Sequence, residues 1–358
     1  MLDPLVRDVF KGRRVLVTGH TGFKGSWLTL WLLSLGAEVA GYALAPEEER
    51  NHFDLLGVSN RIRHEIGDVR DGERLNRFFE EVQPEIVLHL AAQALVRRSY
   101  NDPKETFDVN VGGATNLLEA VRKTPSVKSL VFVTSDKCYW NEEWVWGYRE
   151  TDTLGGKDPY SASKAAAEIV LTAYQESYFR HREGFRSASA RAGNVIGGGD
   201  WSADRIIPDC VRALDSGETI DIRSPSATRP WQHVLEPLSG YLLLAARQFS
   251  DGPLSAGAWN FGPAEGQTRS VKAIVEGVID RWGSGTAKFG DDNTGLMHEA
   301  RLLALNIDKA RLDLGWRPTW DVDTCLDMVV CWYKAVSEGA PASDISLAQI
   351  KAFEEHGS

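Results

Sequence analysis

Arg13-Arg14-Val15-Leu16-Val17-Thr18-Gly19-His20-Thr21-Gly22-Phe23-Lys24-Gly25 decides how this chain folds. A short β-branched run enters a turn with glycines at 19, 22 and 25. The apolar segment 26–35, closed by Gly36, then has the length of a helix. Strand, glycine loop and helix in that order bring backbone N–H groups and the positive end of a helix to one point, which suits a pyrophosphate. The spacing is GxxGxxG rather than GxGxxG, and a glycine triplet alone says little. Its place in the first βα unit of a long alternating chain is what predicts a dinucleotide cradle over Gly19, Thr21, Gly22, Phe23, Lys24 and Gly25.

Outward from that unit, 38–43 reads as the second strand. Its end, Ala43-Leu44-Ala45-Pro46, lacks the acid that usually holds a ribose diol, and Glu47 to Glu49 come late. Arg50 is the nearest candidate for a 2′-phosphate, so this stretch leaves NAD and NADP open. A third strand over 61–66 ends in Gly67-Asp68-Val69-Arg70-Asp71. Asp68 could accept from an adenine amino group or cap the helix starting at Gly72 or Glu73, and Asp68 and Asp71 can divide the two roles. The fourth strand, 85–93, ends in small residues, which leave room for ribose and nicotinamide along Leu90, Ala91, Ala92 and Gln93. His89 reads as a satisfied core histidine. A long helix is expected over 102–122, with Asn110 inside it fixing a backbone or a water near Lys164.

The strand 127–134 is apolar and runs directly into Thr134-Ser135-Asp136-Lys137. Ligands bind at the carboxyl ends of strands in open α/β sheets, so three proton-handling groups stand where a substrate would lie. Tyr160 and Lys164, four apart, share one helix face. An active site of Ser135, Asp136, Lys137, Tyr160 and Lys164 is the functional reading; a buried strand ending in an ordinary polar turn is the bland one. The segment 138–153, with Trp140, Trp144, Trp146 and Tyr148, is either a flap over the site or a surface loop packed on its own aromatics. After a strand over 186–191 the alternation loosens. Arg205, Arg223, Arg229 and His298 lie on irregular segments and suit a diphosphate, unless they are solvated surface groups. Residues 308–314 and 321–337 read as packing helices.

With 358 residues the chain makes one large domain or two intimately joined ones, and its net charge of -10 weighs against nucleic acid or an anionic membrane as partner. It does not weigh against a small anionic ligand. Four cysteines without CxxC spacing read as reduced thiols, which points to the cytoplasm. Eight histidines without HxxxH grouping offer no metal site. The apolar run 27–35 is too short to span a bilayer.

Thr18-Gly19-x-x-Gly22-x-x-Gly25, Asp68-Val69, Leu90-Ala91-Ala92, Tyr160-x-x-x-Lys164 and Leu314-Gly315-Trp316-x-Pro318 together resemble the extended short-chain dehydrogenase/reductase family over nearly the whole chain. Within it, Ser135-Asp136 is similar to the sugar-nucleotide 4,6-dehydratases. Thr134-Ser135-Asp136-Lys137 and Gly193-Asn194-Val195-Ile196-Gly197-Gly198-Gly199-Asp200-Trp201 are similar to the CDP-glucose branch. Most of those dehydratases carry Thr-Asp-Glu where this chain has Ser135-Asp136-Lys137, so the glutamate that removes the C5 proton in them is missing. The resemblance implies an α/β protein: a Rossmann-type doubly wound parallel sheet with a smaller C-terminal α/β substrate domain. The first, 1–192 with return segments near 230–262, would bind NAD, and 193–358 would mainly bind CDP-glucose or a related nucleotide sugar. It further implies that Asp68, Val69, Leu90 to Gln93, Asn110, Thr134, Tyr160 and Lys164 join the glycine loop around the cofactor. Asn194, Arg205, Ile207, Arg223, Arg229 and His298 would hold the substrate, and the protein would be a homodimer or tetramer. A nucleotide-sugar 4-epimerase and a catalytically silent NAD-binding scaffold are the competing expectations. Retention of Tyr160, Lys164 and Asp136 together argues against the scaffold.

Overall fold

The computed structural model describes residues 2–250, 256–290 and 302–356. Seven strands form one parallel sheet: β1 Arg14–Thr18, β2 Glu38–Ala43, β3 Arg63–Ile66, β4 Ile86–His89, β5 Ser129–Val133, β6 Arg186–Ala192 and the edge strand Gly257–Phe261. From one edge the order is Gly257–Phe261, β6, β5, β4, β1, β2, β3, and every neighbouring pair is parallel. The chain thus winds one way through β1 to β3 and the other way from β4. The crevice where the direction reverses, above β1 and β4, is where such sheets take ligands.

Strand periodicity sorts the core into two layers. Val15, Val17, Leu88, Val131 and Val133 pack on one face with the helices Phe23–Ser34 and Leu235–Phe249. Leu16, Val87, Leu130 and Phe132 pack on the other with Gly72–Val82, Ala114–Lys123 and Pro159–Ser177. Asp71 caps Gly72–Val82 and Asp158 caps Pro159–Ser177, each side chain accepting from a first-turn N–H. Beyond β6 come the helices Ile206–Ser216, Val271–Trp282 and Val322–Ser337, with three short two-stranded ladders.

Several expectations are corrected. The first helix starts at Phe23, not Ser26, because Gly22 is its N-cap and the glycine loop already belongs to its first turn. The expected helix over 102–122 is interrupted: Pro103–Phe107 continues through a π-helical turn, Asp108–Gly113, into Ala114–Lys123. A π turn admits an extra residue, and such turns gather at functional sites. The helices Pro4–Phe10, capped by Asp3, and Ala342–His356 are absent from the sequence reading. The closing Leu314-Gly315-Trp316-x-Pro318 motif has a packing role. Trp316 Nε1 donates to Ser239 Oγ at 2.8 Å, and the buried Glu236 carboxylate accepts from the Trp320 amide at 2.7 Å. Burial pushes that carboxyl up to about 7.

The helix Leu235–Phe249 crosses the edge strand at Gly240, where an added Cβ would stand 2.3 Å from the Phe261 ring. Phe261 is fully buried and has nowhere to go. Gly240→Ala is expected to lower stability by about 1–3 kcal/mol, read as a lower urea midpoint with an unchanged slope.

Candidate active site

The site begins at the glycine loop. Gly19 has φ +76, and a Cβ on it would stand 2.8 Å from the Ala91 amide nitrogen. A Cβ on Gly25 would stand 2.0 Å from the Gly19 carbonyl oxygen. Only glycines let the loop lie on the end of β4 and the helix lie on the loop. Thr18 Oγ1 pairs with His89 Nδ1 at 2.6 Å and accepts from the Ala91 amide at 3.2 Å, while Thr21 Oγ1 donates to the Leu44 carbonyl at 2.8 Å. His89 is therefore a structural residue, kept neutral by burial, which lowers it to about 3.

No side chain caps the Phe23–Ser34 helix and its first turn holds no acid, whereas Asp3, Asn51, Asp71, Asp102 and Asp158 cap other helices. Its leading residues, Gly22 to Gly25, line the cleft. An uncapped helix start facing a cleft fits the diphosphate of a dinucleotide.

The candidate catalytic cluster lies where β5 ends and the helix Pro159–Ser177 begins. Ser135 Oγ donates to Asp136 Oδ1 at 2.9 Å, accepts from the Lys137 amide at 3.2 Å and hydrogen-bonds the Tyr160 phenol. Burial raises Asp136, against the pull of Lys137, Ser135 and Lys24. A Cβ on Gly193 would come within 2.8 Å of Asp136 Oδ2, so the glycine leaves room for the acid. Burial pushes Tyr160 up to about 12, with the Ser135 bond opposing. Lys164 Nζ stands 6.0 Å from the Tyr160 ring centre, and burial lowers it to about 8, with Glu168 holding it up. Among these groups also stands Lys24, lowered to about 8 by burial and then by the Arg205 charge, with Asp136 opposing. From the sequence Lys24 belongs to the glycine loop alone. The early start of the helix brings its side chain to the Asp136, Tyr160 and Lys164 cluster.

Asn110 does not line the cleft. From the π turn its Oδ1 accepts from the Gln93 amide at 2.9 Å, and its Nδ2 donates to the Gln93 carbonyl at 3.1 Å and to Ser163 Oγ at 2.9 Å. Ser163 Oγ in turn donates to the Tyr160 carbonyl at 2.7 Å. Asn110 thus fastens the end of β4 to the tyrosine helix from behind, as a backbone tie.

One cleft of about 1930 Å³ is lined by every residue expected at the site except Asn110 and His298. His298 lies outside the described residues. At the far end, Arg205 Nε is 3.8 Å from Asp200 Oδ2, and Arg229 Nη1 donates to the Thr228 carbonyl at 2.8 Å. Asp204, which the sequence did not mark, accepts from Arg97 at 2.6 Å and Arg223 at 3.3 Å. Asp68 accepts from Arg70 Nε at 2.9 Å, while Asp71 takes the capping role. Arg50 stacks on the Trp201 ring at 4.1 Å and is absent from the cleft wall. The segment 138–153 packs on its own aromatics and also borders the cleft. Tyr139 stacks on Tyr148 at 5.2 Å and Trp144 on Tyr148 at 5.1 Å, while Asn141 and Glu143 line the cleft. No group of three or more His, Cys, Asp or Glu placed for a metal occurs among the described residues, and no helix among them is long and apolar enough to cross a membrane.

The family model described as GDP-mannose 4,6 dehydratase matches residues 16–329. The chain is 47% identical to the CDP-glucose 4,6-dehydratase of Salmonella typhimurium over 93% of its length and 94% of the relative's. It is 28% identical to a probable dTDP-glucose 4,6-dehydratase of Sinorhizobium fredii, over 89% and 92%. Among solved structures, the dTDP-glucose 4,6-dehydratase of Streptomyces venezuelae with NAD bound superposes with TM-score 0.76 at 25% identity, covering 91% of this chain and 98% of that one. The UDP-glucose 4-epimerase of Thermus thermophilus in complex with NAD does so with TM-score 0.75 at 27% identity, covering 90% and 99%. With its switch-point cleft and its Ser135, Tyr160 and Lys164 cluster, this chain belongs to the GDP-mannose 4,6 dehydratase family, a branch of the extended short-chain dehydrogenase/reductases.

Proposed function

We propose that the protein is an NAD-dependent CDP-glucose 4,6-dehydratase, converting CDP-glucose to CDP-4-dehydro-6-deoxyglucose and water. The observation that carries this reading over an epimerase is Asp136. It is a buried carboxyl raised by its surroundings and bonded to the serine that also holds Tyr160. An epimerase needs no acid there; a dehydratase must protonate a leaving hydroxyl. The identity to the Salmonella relative supports the same choice and the cytidine nucleotide.

When bound, NAD accepts the C4 hydride and gives it back at C6. The chain's own groups handle protons. Tyr160 takes the proton of the C4 hydroxyl; since burial holds its phenol near about 12, it needs the Lys164 charge and a further cation beside it to ionise. Ser135 hydrogen-bonds the forming carbonyl. With C4 oxidised, the C5 hydrogen is α to a carbonyl. Lys137, half-buried at the cleft wall, removes it or stabilises the resulting enolate. Asp136 protonates the C6 oxygen as it departs, a role suited to a carboxyl that burial shifts toward its protonated form. Arg205, Arg223 and Arg229 hold the diphosphate with Asn194 and Ile207 beside them. The cofactor is NAD rather than NADP, because Arg50 is turned away onto Trp201 and Arg98 is paired with Glu47 at 2.7 Å and with Glu105. The protein works in the cytoplasm as a homodimer or tetramer. Exposed Phe107, Ile169 and Tyr178 mark the helices a second copy would cover.

Four outcomes are expected. Of CDP-, dTDP-, UDP- and GDP-glucose, the CDP sugar should give the 4-keto-6-deoxy product fastest, and a 4-epimer with C6 oxygen intact would overturn the reading. Asp136→Asn should still oxidise C4 but slow elimination by roughly 10²–10⁴-fold, so that borohydride traps an intermediate retaining its C6 oxygen. In deuterated water that trapped sugar should carry deuterium at C5, and in Lys137→Met it should not; full exchange in Lys137→Met would remove the lysine as base. Sedimentation at micromolar concentration should show no monomer.

A further inference from the structure

Behind the catalytic cluster lies an ion pair that the chemistry above does not use. Glu168 sits one turn beyond Lys164 on the helix Pro159–Ser177 and is 2% exposed. The donors to its carboxylate converge from β6 and the end of β5. Thr134 Oγ1 and Arg191 Nε donate to Oε1, the latter at 2.9 Å; Ser189 Oγ and Arg191 Nη2 donate to Oε2 at 2.7 and 2.8 Å. Arg191, 3% exposed, then bonds Tyr139 Oη at 2.8 Å and the Glu150 carbonyl at 3.1 Å. Tyr139 Oη donates to Asn260 Oδ1 at 2.8 Å, and Asn260 Nδ2 donates to the Tyr148 carbonyl at 2.8 Å. A continuous buried polar chain therefore runs from the end of β5 to the aromatic segment beside the cleft.

We propose that Glu168 is a positioning residue for the reaction: it fixes the end of β5 through Thr134 and sets a negative charge beneath the Lys164 ammonium, while Arg191 neutralises it from the far side and ties it to the 138–153 segment. The inference rests on the reading of Tyr160 and Lys164 given above. An isolated buried carboxylate would be too costly to keep ionised, and the bidentate guanidinium with two hydroxyl donors is what holds the charge in place. The charge matters because burial works against an ammonium. The groups around Lys164 are Tyr160 and Glu168 on its own helix, Cys138 and Thr134 after β5, His89 on β4 and Lys24 on the glycine loop. Lys24 is a cation, and His89 and Cys138 are buried groups held neutral, so Glu168 is the anion that favours a charged Lys164.

The sign follows. Lys164 must carry its proton for Tyr160 to act, so activity falls as pH rises through the Lys164 pKa. Without Glu168 that pKa drops, and the alkaline limb of product formation should move toward neutral pH by roughly one unit. Glu168→Gln leaves Arg191 buried without its partner and can unfold the chain, so Glu168→Gln/Arg191→Met, which removes both charges, is the companion variant. Both are measured for thermal unfolding and for the pH profile of CDP-4-keto-6-deoxyglucose formation. The expected result is a shifted limb in the folded double variant, with the acid limb unmoved. A folded double variant whose profile overlays that of the unaltered protein, even at reduced rate, would overturn the proposal, since loss of packing alone scales the curve without shifting it. A double variant that does not fold would overturn the positioning role as well, since the pair would then be shown to hold the fold together rather than to tune Lys164. Failure of the unaltered protein to form product would instead count against the dehydratase reading.

Discussion

The site rests on one close approach, that of the Gly19 loop to the end of β4. The loop lies so near Ala91 that a single Cβ would collide with backbone. Thr18 secures the contact from the β1 side by pairing with His89 and accepting from the Ala91 amide. Everything downstream takes its position from that contact. Gly25 sets the helix on the loop, the helix start is left uncapped toward the cleft, and Leu90 to Gln93 form the opposing wall. Behind that wall Asn110, bonded to Gln93, reaches to Ser163, so the helix carrying Tyr160 is registered against the same strand end as the glycine loop.

Desolvation is the common electrostatic theme. It raises Asp136 and Tyr160 and lowers Lys164 and Lys24, in each case toward the uncharged form. Burial thus biases these four groups against their charged states. Groups buried in this way answer strongly to any ligand that brings charge with it, because a charge is screened less beside them than in open solvent.

Much of this was legible in the sequence. The β-branched runs at 15–18 and 129–133 mark β1 and β5, and the alternation of the chain places β2 and β6, each to within a residue or two. The pair Tyr160 and Lys164 and the triplet Ser135 to Lys137 fall in one cleft as expected. What the sequence hid was geometry that arises between distant segments. Asn110 reads as a weak helix residue, and only the π turn makes it a tie between β4 and the tyrosine helix. Lys24 belongs to the glycine loop by position, yet its side chain stands with Asp136 and Lys164. Asp204, with φ +60, carries no local mark of bridging Arg97 and Arg223. The helix Ala342–His356 escaped notice although Phe353 packs edge-on against both Trp31 and Trp320.

The helix Leu235–Phe249 and the edge strand Gly257–Phe261 return to the sheet after the chain has already left it, and one apolar cluster runs from Val15 through Trp27 and Leu244 to Trp332 and Phe353. The two walls of the cleft are therefore roots of the same core, laced together by strands that cross between them. A molecule tied in this way cannot close on a ligand as a hinge between two separate bodies without tearing dense packing. Adjustment falls instead to what borders the cleft without belonging to that core: the aromatic segment 138–153, the turn carrying Asp204, and the long side chains of the arginines. Mechanically the protein resembles a rigid frame with movable trim, in which exclusion of water is the work of side chains and short loops.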